Sequence, residues 1–118
     1  MKEDNVLLEK SFAFAVRVVK AYKYLVEEKK EFVLSKQFLR SGTSIGANVE
    51  ESIGGQSRPD FIAKMNIAYK EARETNYWIR LLQATDYFAE TQAKSLLNDN
   101  EELLKIIAKI LITTKNNS

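Results

Sequence analysis

The sequence contains neither cysteine nor histidine in its 118 residues. Without thiols there is no disulfide, thiolate metal site or redox switch, which fits a reducing compartment. Without imidazole there is no Ser-His-Asp arrangement, no histidine-based zinc site and no Glu-x-x-His di-iron pattern of the kind built inside helical bundles. No metal and no cofactor are expected. One proline and four glycines leave little punctuation, so long regular elements should dominate. Neither sign of charge prevails: 18 basic and 16 acidic residues give +2, and any affinity for nucleic acid must come from where the charges sit. No apolar run approaches a membrane span, and Met1-Lys-Glu-Asp-Asn5 lacks the basic-then-apolar layout of a signal peptide. The expectation is a cytoplasmic protein with no membrane partner. The length suits one domain, residues 1–118, with a core of its own.

What is present is helical periodicity. Helix 1 is predicted over about 5–29, where Leu8, Phe12, Ala15, Val19, Tyr22 and Val26 share one face. A second apolar set, Leu7, Phe14, Val18 and Leu25, lies about 100° away, so two contact partners or one very wide core face are implied. Lys10, Arg17, Lys20 and Tyr24 on the far side read as a solvated stripe. Glu27-Glu-Lys-Lys-Glu31 closes the helix, and Ser35 is the candidate cap of helix 2, predicted over 35–53.

Helix 2 carries its ridge on Phe38, Ile45 and Val49, with Gly42 and Gly46 one turn apart beside it. Each interior glycine costs about 1 kcal/mol against alanine, so close helix packing is the expected return. A phosphate loop would need a preceding strand and a Gly-Lys-Ser/Thr ending, and neither is there. On the other flank Gln37, Ser41, Ser44, Asn48 and Glu51 form a polar seam, expected to join Arg40 and Glu71 in an interhelix network fixing register.

Ser57-Arg-Pro-Asp60 is a start signal for helix 3, predicted over 58–86. Phe61, Ile62, Met65, Ala68, Tyr69, Ala72, Ile79 and Leu82 form its broad apolar sector, which Ile67, Trp78 and Leu81 extend. The narrow polar strip left over is Asn66, Lys70, Arg73, Tyr77 and Arg80, basic with an aromatic between, as expected of a surface that tracks a nucleic-acid backbone. The bland alternative is a solvated strip in which Lys70 pairs with Glu74. Glu71 projects into the apolar sector and needs a partner, expected on the Arg40, Ser44 and Asn48 side of helix 2. Glu51 and Glu71 are the only evident carboxylate pair for acid–base chemistry, and without metal or histidine they make a thin active site. Helix 4 is predicted over 90–114, with Leu96, Leu97, Leu103, Leu104, Ile107, Ile110 and Leu111 inward and Glu101, Lys105 and Lys109 outside; Lys115-Asn-Asn-Ser118 should fray.

Four long amphipathic helices with short connections predict an all-α, up-down-up-down antiparallel four-helix bundle, and the surplus apolar surface predicts a homo-oligomer. The blocks Leu34-Ser-Lys-Gln-Phe-Leu-Arg-Ser-Gly-Thr-Ser-Ile-Gly-Ala-Asn-Val-Glu-Glu51 and Lys70-Glu-Ala-Arg-Glu-Thr-Asn-Tyr-Trp-Ile-Arg-Leu-Leu82 resemble the bacterial four-helix-bundle proteins encoded within intervening sequences of 23S ribosomal RNA genes. The resemblance spans nearly the whole chain. It implies a ring-shaped homopentamer, a kinship with the accessory proteins of diversity-generating retroelements, which bind nucleic acid and associate with a reverse transcriptase, and family-pattern positions at Ser41, Ser44, Asn48, Glu51 and Glu71. It does not imply ribosome membership. The near-neutral charge departs from the strongly basic retroelement proteins.

Three functions follow as expectations. The first is a non-enzymatic oligomeric bundle associated with structured RNA or DNA through Lys70, Arg73, Tyr77 and Arg80. The second is a scaffold for a partner protein with no nucleic acid. The third is an enzyme using Glu51 and Glu71.

Overall fold

Four helices carry almost all of the chain in the computed structural model, which describes residues 2–55 and 57–117. They are α1 (Lys2–Glu27), α2 (Leu34–Ile53), α3 (Arg58–Ala84) and α4 (Glu90–Asn116), and no strand occurs among the described residues. Contacts between neighbours run in opposite directions along each pair. Gly42 and Gly46 of α2 meet Val18 and Ser11 of α1, Ser41 of α2 meets Thr75 of α3, and Lys10 and Arg17 of α1 meet Glu102 and Asp99 of α4. Each helix packs against two others, α1 and α3 both between α2 and α4, so the four close into an antiparallel bundle. Its extents, 47 × 21 × 19 Å, are those of helices roughly 40 Å long laid side by side.

The core is drawn from every helix: Leu7, Phe14, Val18 and Leu25; Phe38, Ile45 and Val49; Met65, Ile79 and Leu82; Leu96, Leu103 and Ile107. Burying each of these large side chains contributes roughly 1.5–3 kcal/mol. Phe88, in the α3–α4 connection, closes one end of the core with its ring edge-on to Phe38 at 5.6 Å.

Of the two apolar faces of α1, the core takes Leu7, Phe14, Val18 and Leu25. The other set stays outside: Phe12 is 63% exposed, Val19 is on the surface, and Leu8, Ala15, Tyr22 and Val26 are half-buried. Of the stripe Lys10, Arg17, Lys20 and Tyr24, expected in solvent, Lys10 and Lys20 are exposed, and the stripe borders the seam with α4, where Lys10 and Arg17 pair with Glu102 and Asp99. In α4 the expected core residues Leu97 and Leu104 are only half-buried, while Asn100 is fully buried. The last helix extends through Lys115 to Asn116, two residues past its predicted end, and Ser118 lies outside the described residues.

The cap of α2 is not Ser35 but Glu31. Helix α1 stops at Glu27, Lys30 adopts a left-handed φ of 56°, and the chain turns so that Glu31 points back under α2. Its carboxylate accepts hydrogen bonds from the backbone N–H groups of Val33 (3.2 Å), Leu34 (3.0 Å) and Ser35 (2.6 Å), satisfying donors that a helix start leaves without partners. The Ser35 hydroxyl donates in return to the Glu31 carbonyl at 2.8 Å. Burial alone would raise the Glu31 carboxyl, but the three N–H donors and the Ser35 hydroxyl bring it below the ordinary value. At α3 the sequence signal corresponds to the observed cap, with the Ser57 hydroxyl accepting from the Asp60 N–H and Pro59 in the first turn.

Candidate functional site

Two neighbouring features of α3 bear on function, its seam with α2 and its outer strip. Along the seam, Arg40 of α2 reaches across to both acids of α3, donating to Glu71 at 2.7 Å and also to Glu74. Glu74 additionally accepts from the Trp78 indole N–H at 2.9 Å. That indole bond, with the Arg40 guanidinium, holds the Glu74 carboxyl below its usual range against the opposing effect of burial, and the two acids in turn raise Arg40. One turn inward the Thr75 hydroxyl donates to Ser41 Oγ at 2.9 Å in a fully buried contact. Ser44 and Asn48 do not cross the seam by hydrogen bonds: the Ser44 hydroxyl donates to the Arg40 carbonyl and the Asn48 amide to the Ser44 carbonyl, both on their own helix. Glu51 meets Lys64 of α3 at 3.6 Å.

This geometry separates the two carboxylates considered for catalysis. Glu71 sits beside Arg40 and Glu51 beside Lys64, and Arg40 and Glu51 stand about 16 Å apart along α2 at the helical rise per residue. Each has its own cation. The structure therefore does not bring them to one spot where a substrate would meet both, and among the described residues no group of acids is placed to hold a metal ion.

The outer strip of α3 is fully on the surface. Lys70, Arg73, Tyr77 and Arg80 are all exposed, Tyr77 at 49%. Tyr77 stands edge-on to Trp78 at 5.0 Å, and the Arg80 guanidinium lies 6.0 Å from the Tyr77 ring while donating to Asn76 Oδ1 at 2.8 Å. Lys10, Arg17, Arg40, Lys64 and Lys109 are spent on carboxylates, but Lys70, Arg73 and Arg80 form no ion pair among the described residues. Lys70 makes no close salt bridge with Glu74, which is turned toward Arg40 and Trp78, although the Lys70 charge still helps to lower the Glu74 carboxyl.

Gly42 and Gly46 face α1 at close range. A Cβ at Gly46 would stand 3.3 Å from the Ser11 carbonyl oxygen, and one at Gly42 only 2.7 Å from Val18. Three residues that periodicity did not single out also matter. Thr75 and Asn100 are polar positions fully buried within apolar faces, and Glu31 sits in a charge run that looks solvated in sequence. For Thr75 the available signal was its place in the apolar sector of helix 3, one turn from Ala72 and Ile79.

No helix among the described residues is long and apolar enough to cross a membrane. The family model described as 23S rRNA-intervening sequence protein matches residues 3–109. A crystal structure of a protein with unknown function from the S23 ribosomal protein family of Bacteroides thetaiotaomicron is similar throughout, with 56% identity, a TM-score of 0.92, and coverage of 92% of this chain and 97% of that one. Comparison with curated proteins returned no match.

Proposed function

This chain belongs to the 23S rRNA-intervening sequence protein family, and from that premise we propose that it is a non-enzymatic, self-assembling bundle that contacts structured RNA through α3. The observation that carries the reading is the set of exposed cations Lys70, Arg73 and Arg80, none of them in a salt bridge among the described residues, around the exposed ring of Tyr77. Free cations flanking an aromatic face are what a phosphate backbone and an unstacked base together require. Duplex DNA offers the phosphates but shields its bases, so RNA with loops or bulges is the better substrate.

Self-assembly is supported by the outer face of α1. Phe12, Val16 and Val19 are exposed by 63%, 39% and 37% in a stripe one helix turn apart, and Phe32 beyond the end of α1 is 52% exposed. Apolar surface arranged this way marks an interaction site. Further exposed apolar residues stand on other helices, Ile67 on α3 and Ile112 on α4, which favours a head-to-tail ring over a two-fold dimer. A ring of the pentameric kind would repeat the α3 strip in each subunit and let modest contacts add.

The test is fluorescence anisotropy of a labelled RNA hairpin with Arg73 and Arg80 both changed to Glu. The reading expects binding to fall at least tenfold with helicity and assembly unchanged. Equal binding by the variant would remove the α3 strip from the function and leave a scaffold for a partner protein, the reading that the α1 stripe favours by itself.

A further inference from the structure

The stripe Lys10, Arg17, Lys20 and Tyr24 faces α4 across a seam that does not close along its whole length. Near the end of the bundle where α1 finishes and α4 begins, a groove of about 280 Å³ opens between the two helices, lined by Arg17, Lys20, Ala21, Tyr24, Phe88, Gln92 and Leu96. Its floor is apolar: Phe88 and Leu96 are buried, and Ala21 packs against the core. Phe88 is fixed in place by its edge contact with Phe38.

Every polar side chain around that floor can donate a hydrogen bond. Gln92 has committed its Oε1, which accepts from the Ala89 N–H at 2.8 Å, so what it can offer to the groove is its amide N–H₂. Arg17 is held in position by Asp99 at 2.6 Å and by the Ser95 hydroxyl at 3.0 Å, presenting a cation whose orientation is set in advance. Lys20 is exposed and forms no ion pair among the described residues. Tyr24 brings a phenolic hydroxyl. Among the described residues no carboxylate lines the groove, although Asp99 behind Arg17 offsets that guanidinium's charge. An apolar floor under a rim of N–H and O–H donors, with one cation unspent, is complementary to a small molecule with an apolar body and one anionic end.

We propose that the α1–α4 groove is a binding site for a small organic anion, a carboxylate on a short aromatic or alkyl body, with Lys20 and Gln92 holding the carboxylate and the half-buried Ala21 and Tyr24 ring receiving the body above Phe88 and Leu96. The site is separate from the α3 strip and does not depend on RNA binding.

The experiment follows backbone and Gln92 side-chain amide resonances of the full chain during titration with 4-phenylbutyrate, and in parallel with 4-phenylbutan-1-ol, which keeps the body and removes the charge. Saturable shifts are expected at Ala21, Phe88 and Gln92, with the alcohol binding about tenfold more weakly, the worth of one charge-assisted hydrogen bond. Lys20→Glu, at an exposed position, should weaken the acid by at least that factor and leave the alcohol unchanged. Equal binding of acid and alcohol overturns the proposal, as do shifts centred on the Phe12–Val16 stripe, no saturable shifts at all, or an unaltered affinity in Lys20→Glu.

Discussion

Gly42 of α2 lies directly against Val18 of α1: a Cβ at Gly42 would stand 2.7 Å from both γ-carbons of the valine. Real Cβ atoms do not approach that closely, so the absence of a side chain sets the spacing of the first two helices. Gly42→Ala should therefore destabilise the protein by about 1–3 kcal/mol through overpacking, although alanine is the better helix former by about 1 kcal/mol. Urea denaturation reads the loss. In the double variant with Val18→Ala the two costs should sum to less than the separate values, because the smaller side chain vacates the space that the new methyl needs.

Glu31 gives α2 a pH-dependent start. Its carboxyl titrates below the ordinary value in the folded chain, so its stabilising effect is complete above the unfolded-state pKa of about 4.3 and is lost as pH falls through the lower folded value. Glu31→Gln should cost about 1 kcal/mol at neutral pH, as loss of a charged cap does. Its stability should also fall less steeply than that of the natural protein as the pH drops below 4.3. Thermal melts of both proteins across this range check the difference.

Asn100 is fully buried in α4 with its amide N–H₂ donating to the Ala72 carbonyl at 2.8 Å, while its Oδ1 meets no hydrogen-bond donor among the described residues. A buried acceptor left without a donor costs about 1–3 kcal/mol. Asn100→Leu keeps the branch at Cγ but is larger, so relief of the orphaned acceptor should be partly offset by overpacking and the unfolding free energy should rise by no more than about 1 kcal/mol. A destabilised Asn100→Leu would show that the Ala72 hydrogen bond outweighs the orphaned oxygen.

The stripe on α1 should drive assembly. Phe12→Asp with Val16→Asp places two charges on exposed positions, so the fold should persist with unchanged helicity while the mass in solution falls to that of one chain, 13.5 kDa. Light scattering behind size exclusion measures it. An unchanged mass would move any interface elsewhere.

Much of this fold was legible in the sequence because its periodic signals are strong. The Ser57–Pro59–Asp60 start and the ridge Phe38, Ile45, Val49 correspond directly to a capped helix and a buried face. What periodicity could not decide was which of two equally apolar faces of α1 the core would take. That choice depends on where Gly42 and Gly46 allow α2 to sit, which is a tertiary fact. The cap at Glu31 was out of reach for a similar reason. A charge run looks solvated until the left-handed Lys30 turns the chain and aims one carboxylate at three backbone donors. At the candidate site, the exposure of the α3 strip followed from pattern alone. The α1–α4 groove did not, because it depends on Phe88, a loop residue outside any helical period.

The most direct measurement is the salt dependence of RNA binding by the natural protein, from about 20 mM upward, using the labelled hairpin and a matched DNA duplex. An electrostatic α3 strip repeated in an assembly predicts tight binding at low salt, a linear fall of log affinity with log salt corresponding to several phosphates, and a preference for the hairpin over the duplex. No binding to the hairpin at the lowest salt would contradict the account.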